Sequence, residues 1–141
     1  IYLEQSLFQP PTVFSYYQPE YQVPGTGILG PAFGILSTST TLRRANVANQ
    51  LIYSGIPINA TNAPIGTQLN LSSLEAQASN PGAIADALNA LLLHGTMSTQ
   101  FRNSIITAMN AIPTSDGNFA RKRAQVAAYL VTTSSQFDVQ R

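Results

Sequence analysis

Cysteine is absent from this 141-residue chain, which excludes disulfides, thiolate nucleophiles, Cys-linked haem and Cys-based zinc sites. Charge is scarce: only 9% of residues are Asp, Glu, Lys or Arg, where roughly a quarter is usual. Seven basic side chains stand against six acidic ones, so no positive field exists to gather phosphates, and nucleic acid is not an expected partner. No apolar run approaches the roughly 18 residues a membrane-spanning helix needs. The chain opens Ile1-Tyr2-Leu3-Glu4, without an initiator Met or a signal peptide, which suggests a processed protein or the C-terminal piece of a larger one. A single imidazole, His94, is too little for a histidine-based metal site.

Uncharged groups supply the polarity instead, with 13 Ser, 13 Thr, 10 Asn and 11 Gln. The hydrophobic fraction of 44% is that of a globular protein, not of a disordered one. A chain of this length can enclose one core. An uncharged polar surface suits a protein that works outside the cytoplasm or inside a stable assembly, so a secreted or cell-envelope location is expected.

Two unlike parts follow one another. Residues 1–36 form a proline- and aromatic-rich arm, and residues 37–141 a helical domain. Five of the nine prolines (Pro10, Pro11, Pro19, Pro24, Pro31) and seven of the twelve aromatics fall within residues 1–35. Proline fixes φ, removes a donor and biases the preceding residue away from the helix. The spacing predicts an extended, turn-punctuated path from Gln9 to Leu36, with a single helical turn at Val13–Tyr17. Beyond it, amphipathic periodicity predicts helices over about 39–53, 81–94, 98–112 and 119–133, with a short one over Ser72–Ala78. The first starts at Ser37 or Ser39 and carries Leu42, Ala45, Val47, Ala48, Leu51 and Ile52 on its apolar face. The second has Asn80 as N-cap, Pro81 at the first helical position and an apolar stripe of Ile84, Ala87, Leu88, Leu91 and Leu92. Ser98 caps the third, and Asp116-Gly117 turns the chain into the last. Short connections between amphipathic helices argue an all-α fold, an antiparallel helical bundle with an extended arm at its N-terminal end.

Three stretches carry a family resemblance. Pro11-Thr12-Val13-Phe14-Ser15-Tyr16-Tyr17-Gln18-Pro19-Glu20-Tyr21-Gln22-Val23-Pro24-Gly25 resembles a P-S-V-F-x-F/Y-x-x-P-x-Y-x-P-P-G stretch. Leu91-Leu92-Leu93-His94-Gly95-Thr96-Met97-Ser98 resembles an L-L-x-G-x-M-S link, and residues 123–141 resemble a closing R-x-A-x-Y-L-V-x-x-S-P-E-F-Q-V-Q-R. All three, in this order, are similar to the C-terminal portion of the bacterial domain of unknown function 1800 family. The chain departs from that pattern in a shortened segment after Pro24-Gly25, in Ala32-Phe33 where Pro-Glu-Phe is common, and in Ser135 where Pro is usual. The resemblance implies a helical fold, export and membership of a polypeptide several hundred residues long. It implies no catalytic residue.

No constellation of residues points to catalysis, cofactor binding or a metal. His94 precedes Gly95 at a predicted helix C-terminus, where a partly positive ring suits the dipole. No Gly-x-Ser-x-Gly elbow supports a Ser-His-Asp triad, and the acids Glu4, Glu20, Glu75, Asp86, Asp116 and Asp138 are scattered. Arg121-Lys122-Arg123 reads as a solvated face. Asn59-Ala60-Thr61 and Asn70-Leu71-Ser72 match the glycosylation sequon, a pattern common by chance in such a composition. The aromatics Phe14, Tyr16, Tyr17, Tyr21 and Phe33 are the candidate interaction residues, because rings among Pro and Gln cover protein surface or stack on sugars. The expectation is a non-catalytic structural or interaction module with a protein partner or self-assembly. A scaffold fragment of an enzyme whose active site lies in N-terminal sequence is one alternative. A carbohydrate-binding module is another.

Overall fold

A computed structural model describes residues 5–6, 8–57 and 66–138. Among these residues the regular structure is helical, as expected, and extended pairing is limited to isolated bridges. Two units are distinguishable, one ending at Val47 and one beginning at Ala48.

The first unit is a succession of turns followed by most of helix α1, Thr38–Asn49, whose last two residues fall in the second unit. The helical turn expected at Val13–Tyr17 does not form. Ser15 adopts a left-handed φ of 60°, and the Thr12 hydroxyl accepts from Phe14 N–H, so the chain makes a tight turn bridging Thr12 and Ser15. Pro31–Ile35, expected to be extended, is a 3-10 turn with Pro31 at its start, where the missing N–H costs nothing. Ser37, rather than Ser39, begins α1: its hydroxyl accepts from Thr40 N–H, while Thr40 Oγ1 accepts from Ser37 N–H. This reciprocal pair satisfies two donors that a helix start leaves without partners.

The second unit opens where α1 gives way to a wider π turn, Gln50–Ser54, closed by Gly55 N–H donating to Gln50 O. The helix expected to run to Tyr53 is therefore α-helical only to Asn49. After it come α2 (Ser72–Glu75), α3 (Pro81–Leu92), α4 (Thr99–Asn110), α5 (Phe119–Thr132) and a short α6 (Ser135–Asp138) absent from the sequence reading. Asn62-Ala63-Pro64, whose composition favours a turn, and the Asn59 sequon lie outside the described residues. Asn80 and Ser98 cap α3 and α4 as anticipated, accepting from Ala83 N–H and Phe101 N–H.

Helices α3, α4 and α5 pack on one another, with α2 against α5. Their shared core holds Leu71, Leu74, Ile84, Leu88, Ile105, Met109 and Val131. Ala85, Ala124 and Ala127 in the same core leave room for the larger side chains opposite. Two expected apolar positions are solvent-facing instead. Leu42 is exposed, because the apolar residues of α1 are spread round it rather than gathered in one stripe. Leu91 is 72% exposed. At about 100° per residue, the buried stripe of α3 is centred between Ile84 and Ala85, and Leu91 lies about 70° away from that centre.

Polar ties join these helices. Arg102 donates from Nε and Nη2 to the two carboxylate oxygens of Asp86, at 2.7 and 2.9 Å, linking α4 to α3. Arg121 pairs with Glu75 at 3.0 Å, linking α5 to α2. Gln125, buried, donates its amide to Ile52 O and anchors the π turn to α5. The solvated face expected for 121–123 holds at Lys122, which is exposed, and is corrected at Arg123. Lys122 binds Asp116, and Arg123 is only 6% exposed, donating to Ile112 O and Ala78 O. Both carbonyls lie just past helical segments, where the negative end of the peptide dipoles draws a cation inward.

Candidate functional site

Local chemistry shapes the first unit. Val23-Pro24-Gly25-Thr26 is a turn closed by Thr26 N–H donating to Val23 O at 3.0 Å. Pro24 supplies the fixed φ of its second position, and Gly25 takes the positive φ of 77° that its third position demands. The turn folds the chain into a short hairpin, with Val23 N–H donating to Ile28 O and Gly30 N–H to Tyr21 O. Gln22 and Leu29 face each other across it without exchanging hydrogen bonds, so their own backbone groups point outward. Gly30 must stay small: a Cβ there would lie 2.8 Å from Val23 Cγ2 and 2.9 Å from the Phe33 ring.

The five candidate aromatics divide by environment. Tyr16 is half-buried and its hydroxyl reaches Ser6 O at 2.9 Å and Gln9 O at 3.0 Å, sharing one proton between two carbonyls. Tyr21 is half-buried with its ring against Gly34. Phe14, Tyr17 and Phe33 are exposed. Further apolar side chains are exposed with them: Phe8 at 98%, Val13 at 95%, and Ile28, Leu29 and Leu36. Nine of the twelve large apolar side chains found exposed belong to this unit, although it holds only a third of the chain. No described residue of the unit is buried. Between Gln5 and Leu42 the sequence has a single charge, Glu20. Pattern alone could not have found this surface, since apolar residues in a turn-rich segment give no periodicity from which to read a face.

A cleft of about 300 Å³ in the same unit is lined by Tyr16, Ile35, Ser37, Thr40 and Arg44. Its hydroxyls are engaged by the chain itself: Tyr16 as above, and Thr40 donating to Ile35 O at 2.7 Å. In the second unit another open cleft, about 320 Å³, is bordered by Asn70, Ser72 and the Glu75–Arg121 pair. Asn70 of the second sequon is exposed, and its side-chain oxygen accepts from Ser72 N–H. His94 is exposed at the end of α3 with a left-handed φ of 52°. Asp86, two turns earlier on α3, is held by Arg102, whose hydrogen bonds keep the carboxyl below its ordinary range. Lys122 and the Asn118 N–H do the same for Asp116. Burial beside Tyr129 raises the Tyr53 phenol. Among the described residues no group of three or more His, Asp or Glu side chains is placed to hold a metal, and no helix is long and apolar enough to cross a membrane.

Comparison with known proteins adds one result. The family described as protein of unknown function (DUF1800) matches residues 2–139. The chain belongs to that family. No curated protein and no solved structure matches it.

The stretches that resembled DUF1800 now have physical roles in this member. Pro24-Gly25 makes the hairpin turn. The link after α3 is organised by Asn89, a residue the sequence reading passed over. Its backbone oxygen accepts from Leu93 and Gly95 N–H, and its side-chain oxygen accepts from Met97 N–H at 2.9 Å. Ser98, at the end of that link, meets the closing stretch: Gln136 Oε1 accepts from Ser98 N–H at 3.0 Å, and Gln136 Nε2 donates to Ser98 Oγ at 2.9 Å. Two of the three motifs thus converge on one helix cap.

Proposed function

We propose that this chain is a non-catalytic interaction module of a secreted or cell-envelope protein. Its aromatic arm docks onto protein surface, supplied by the rest of its own polypeptide or by another subunit of an assembly. The observation that carries this reading is the accumulation of exposed Phe, Val, Ile and Leu side chains in a unit none of whose described residues is buried and whose sequence from Gln5 to Leu42 carries one charge, Glu20. Burying a large apolar side chain contributes about 1.5–3 kcal/mol. With nine such side chains partly exposed, the surface offers on the order of 10 kcal/mol to a complementary partner, comparable with the roughly 4–15 kcal/mol that association costs. Backbone groups of Gln22 and Leu29, facing outward from the hairpin, are free to add directional hydrogen bonds to a partner.

A photo-cross-linking residue at position 14, with position 91 as an exposed control on α3, tests the proposal in the protein made by its own host. The expected result is efficient cross-linking from 14 and little from 91. A cross-link within one polypeptide identifies the partner as the rest of the protein, and a cross-link between polypeptides identifies a second subunit. Capture of polysaccharide, or equal solvent quenching at both positions, overturns the reading.

A further inference from the structure

We draw no further inference here: the strongest candidate, the outward edge of the hairpin at Gln22 and Leu29 with Ile28 exposed beside it, belongs to the surface already assigned, and nothing in the structure shows what covers it.

Discussion

Arg123 is where a single substitution is expected to cost the most for the least change in shape. Its guanidinium donates from Nε and Nη2 to Ile112 O, at 3.2 and 2.7 Å, and from Nη1 to Ala78 O at 2.8 Å. The Phe119 ring lies 5.5 Å from its Cζ. Arg123→Met keeps the apolar stem and removes every donor. Each hydrogen bond from a charged group contributes about 1.5–3 kcal/mol, and a buried carbonyl left without a partner costs about 1–3 kcal/mol. With two carbonyls involved, the expected loss is about 3–5 kcal/mol, a large fraction of the roughly 5–15 kcal/mol that holds a domain folded. Arg123→Lys serves one carbonyl and is expected to lose about half as much. Urea unfolding followed by circular dichroism measures both: at about 1–3 kcal/mol per molar, Arg123→Met lowers the midpoint by about 1–5 M. Lys122→Met, on the exposed neighbour, serves as the control and is expected to shift the midpoint far less, because an exposed ion pair such as Lys122–Asp116 contributes little to stability. If Arg123→Met and Lys122→Met unfold at the same urea concentration, the account of Arg123 as the tie between α5, the end of α4 and the turn after α2 is wrong.

Leu88→Ala, at a position 2% exposed, is expected to cost about 2–5 kcal/mol, whereas Leu91→Ala, one turn on, leaves the urea midpoint nearly unchanged. Equal losses at both sites would return the apolar stripe to the register read from sequence. Gln136→Ala is expected to cost about 1–2 kcal/mol and to speed exchange of the Ser98 amide hydrogen, while Gln136→Glu retains most of the stability because a carboxylate still accepts at the positive end of α4. Asp86 and Asp116 have folded pKa values below their unfolded ones, so their contribution is complete above the ordinary carboxylate value near 4 and is lost as pH falls through the folded value. The drop in urea midpoint between pH 5 and pH 2.5 should accordingly shrink in an Asp86→Asn, Asp116→Asn double variant, and an unchanged drop would assign the acid sensitivity to other groups.

Helix positions in the second unit were legible because capping chemistry is local. Asn80-Pro81 and Ser98 mark their helix starts through bonds to residues three positions on, which sequence order alone supplies. The register of burial was less legible. Ile84, Leu88 and Leu91 are equivalent in a list of apolar residues, and only the placement of α4 and α5 decides that Ala85 faces inward and Leu91 outward. Arg123 and Gln125 were missed for a related reason. A charged or amide side chain reads as surface until the carbonyls it reaches are known, and Ala78, Ile112 and Ile52 are 45, 11 and 73 residues away in sequence. The wide turn at Gln50–Ser54 has no sequence signature either, since any residue can be accommodated where a helix loosens by one peptide.

The arm poses the opposite problem. Nearly all of its ordered features follow from short-range rules: Pro24-Gly25 for the hairpin turn, Pro31 for the 3-10 turn, Ser37 and Thr40 for the start of α1. Most of its backbone hydrogen bonds join residues three apart, and each contributes about 0.5–1.5 kcal/mol net. Fixing one residue's backbone costs about 1–2 kcal/mol, and far more residues are fixed than bonds are made. In the second unit that deficit is offset by a buried core. In the first unit no described residue is fully buried and a few, Tyr16 and Tyr21 among them, are half-buried, so turns that are well specified one by one have little apolar burial to hold them together. Prolines narrow the unfolded ensemble and reduce the deficit without removing it. On the docking proposal, the remainder is supplied by surface outside the unit. Docking also explains why the exposed side chains are large and uncharged: they are the part of this unit able to return that free energy when covered.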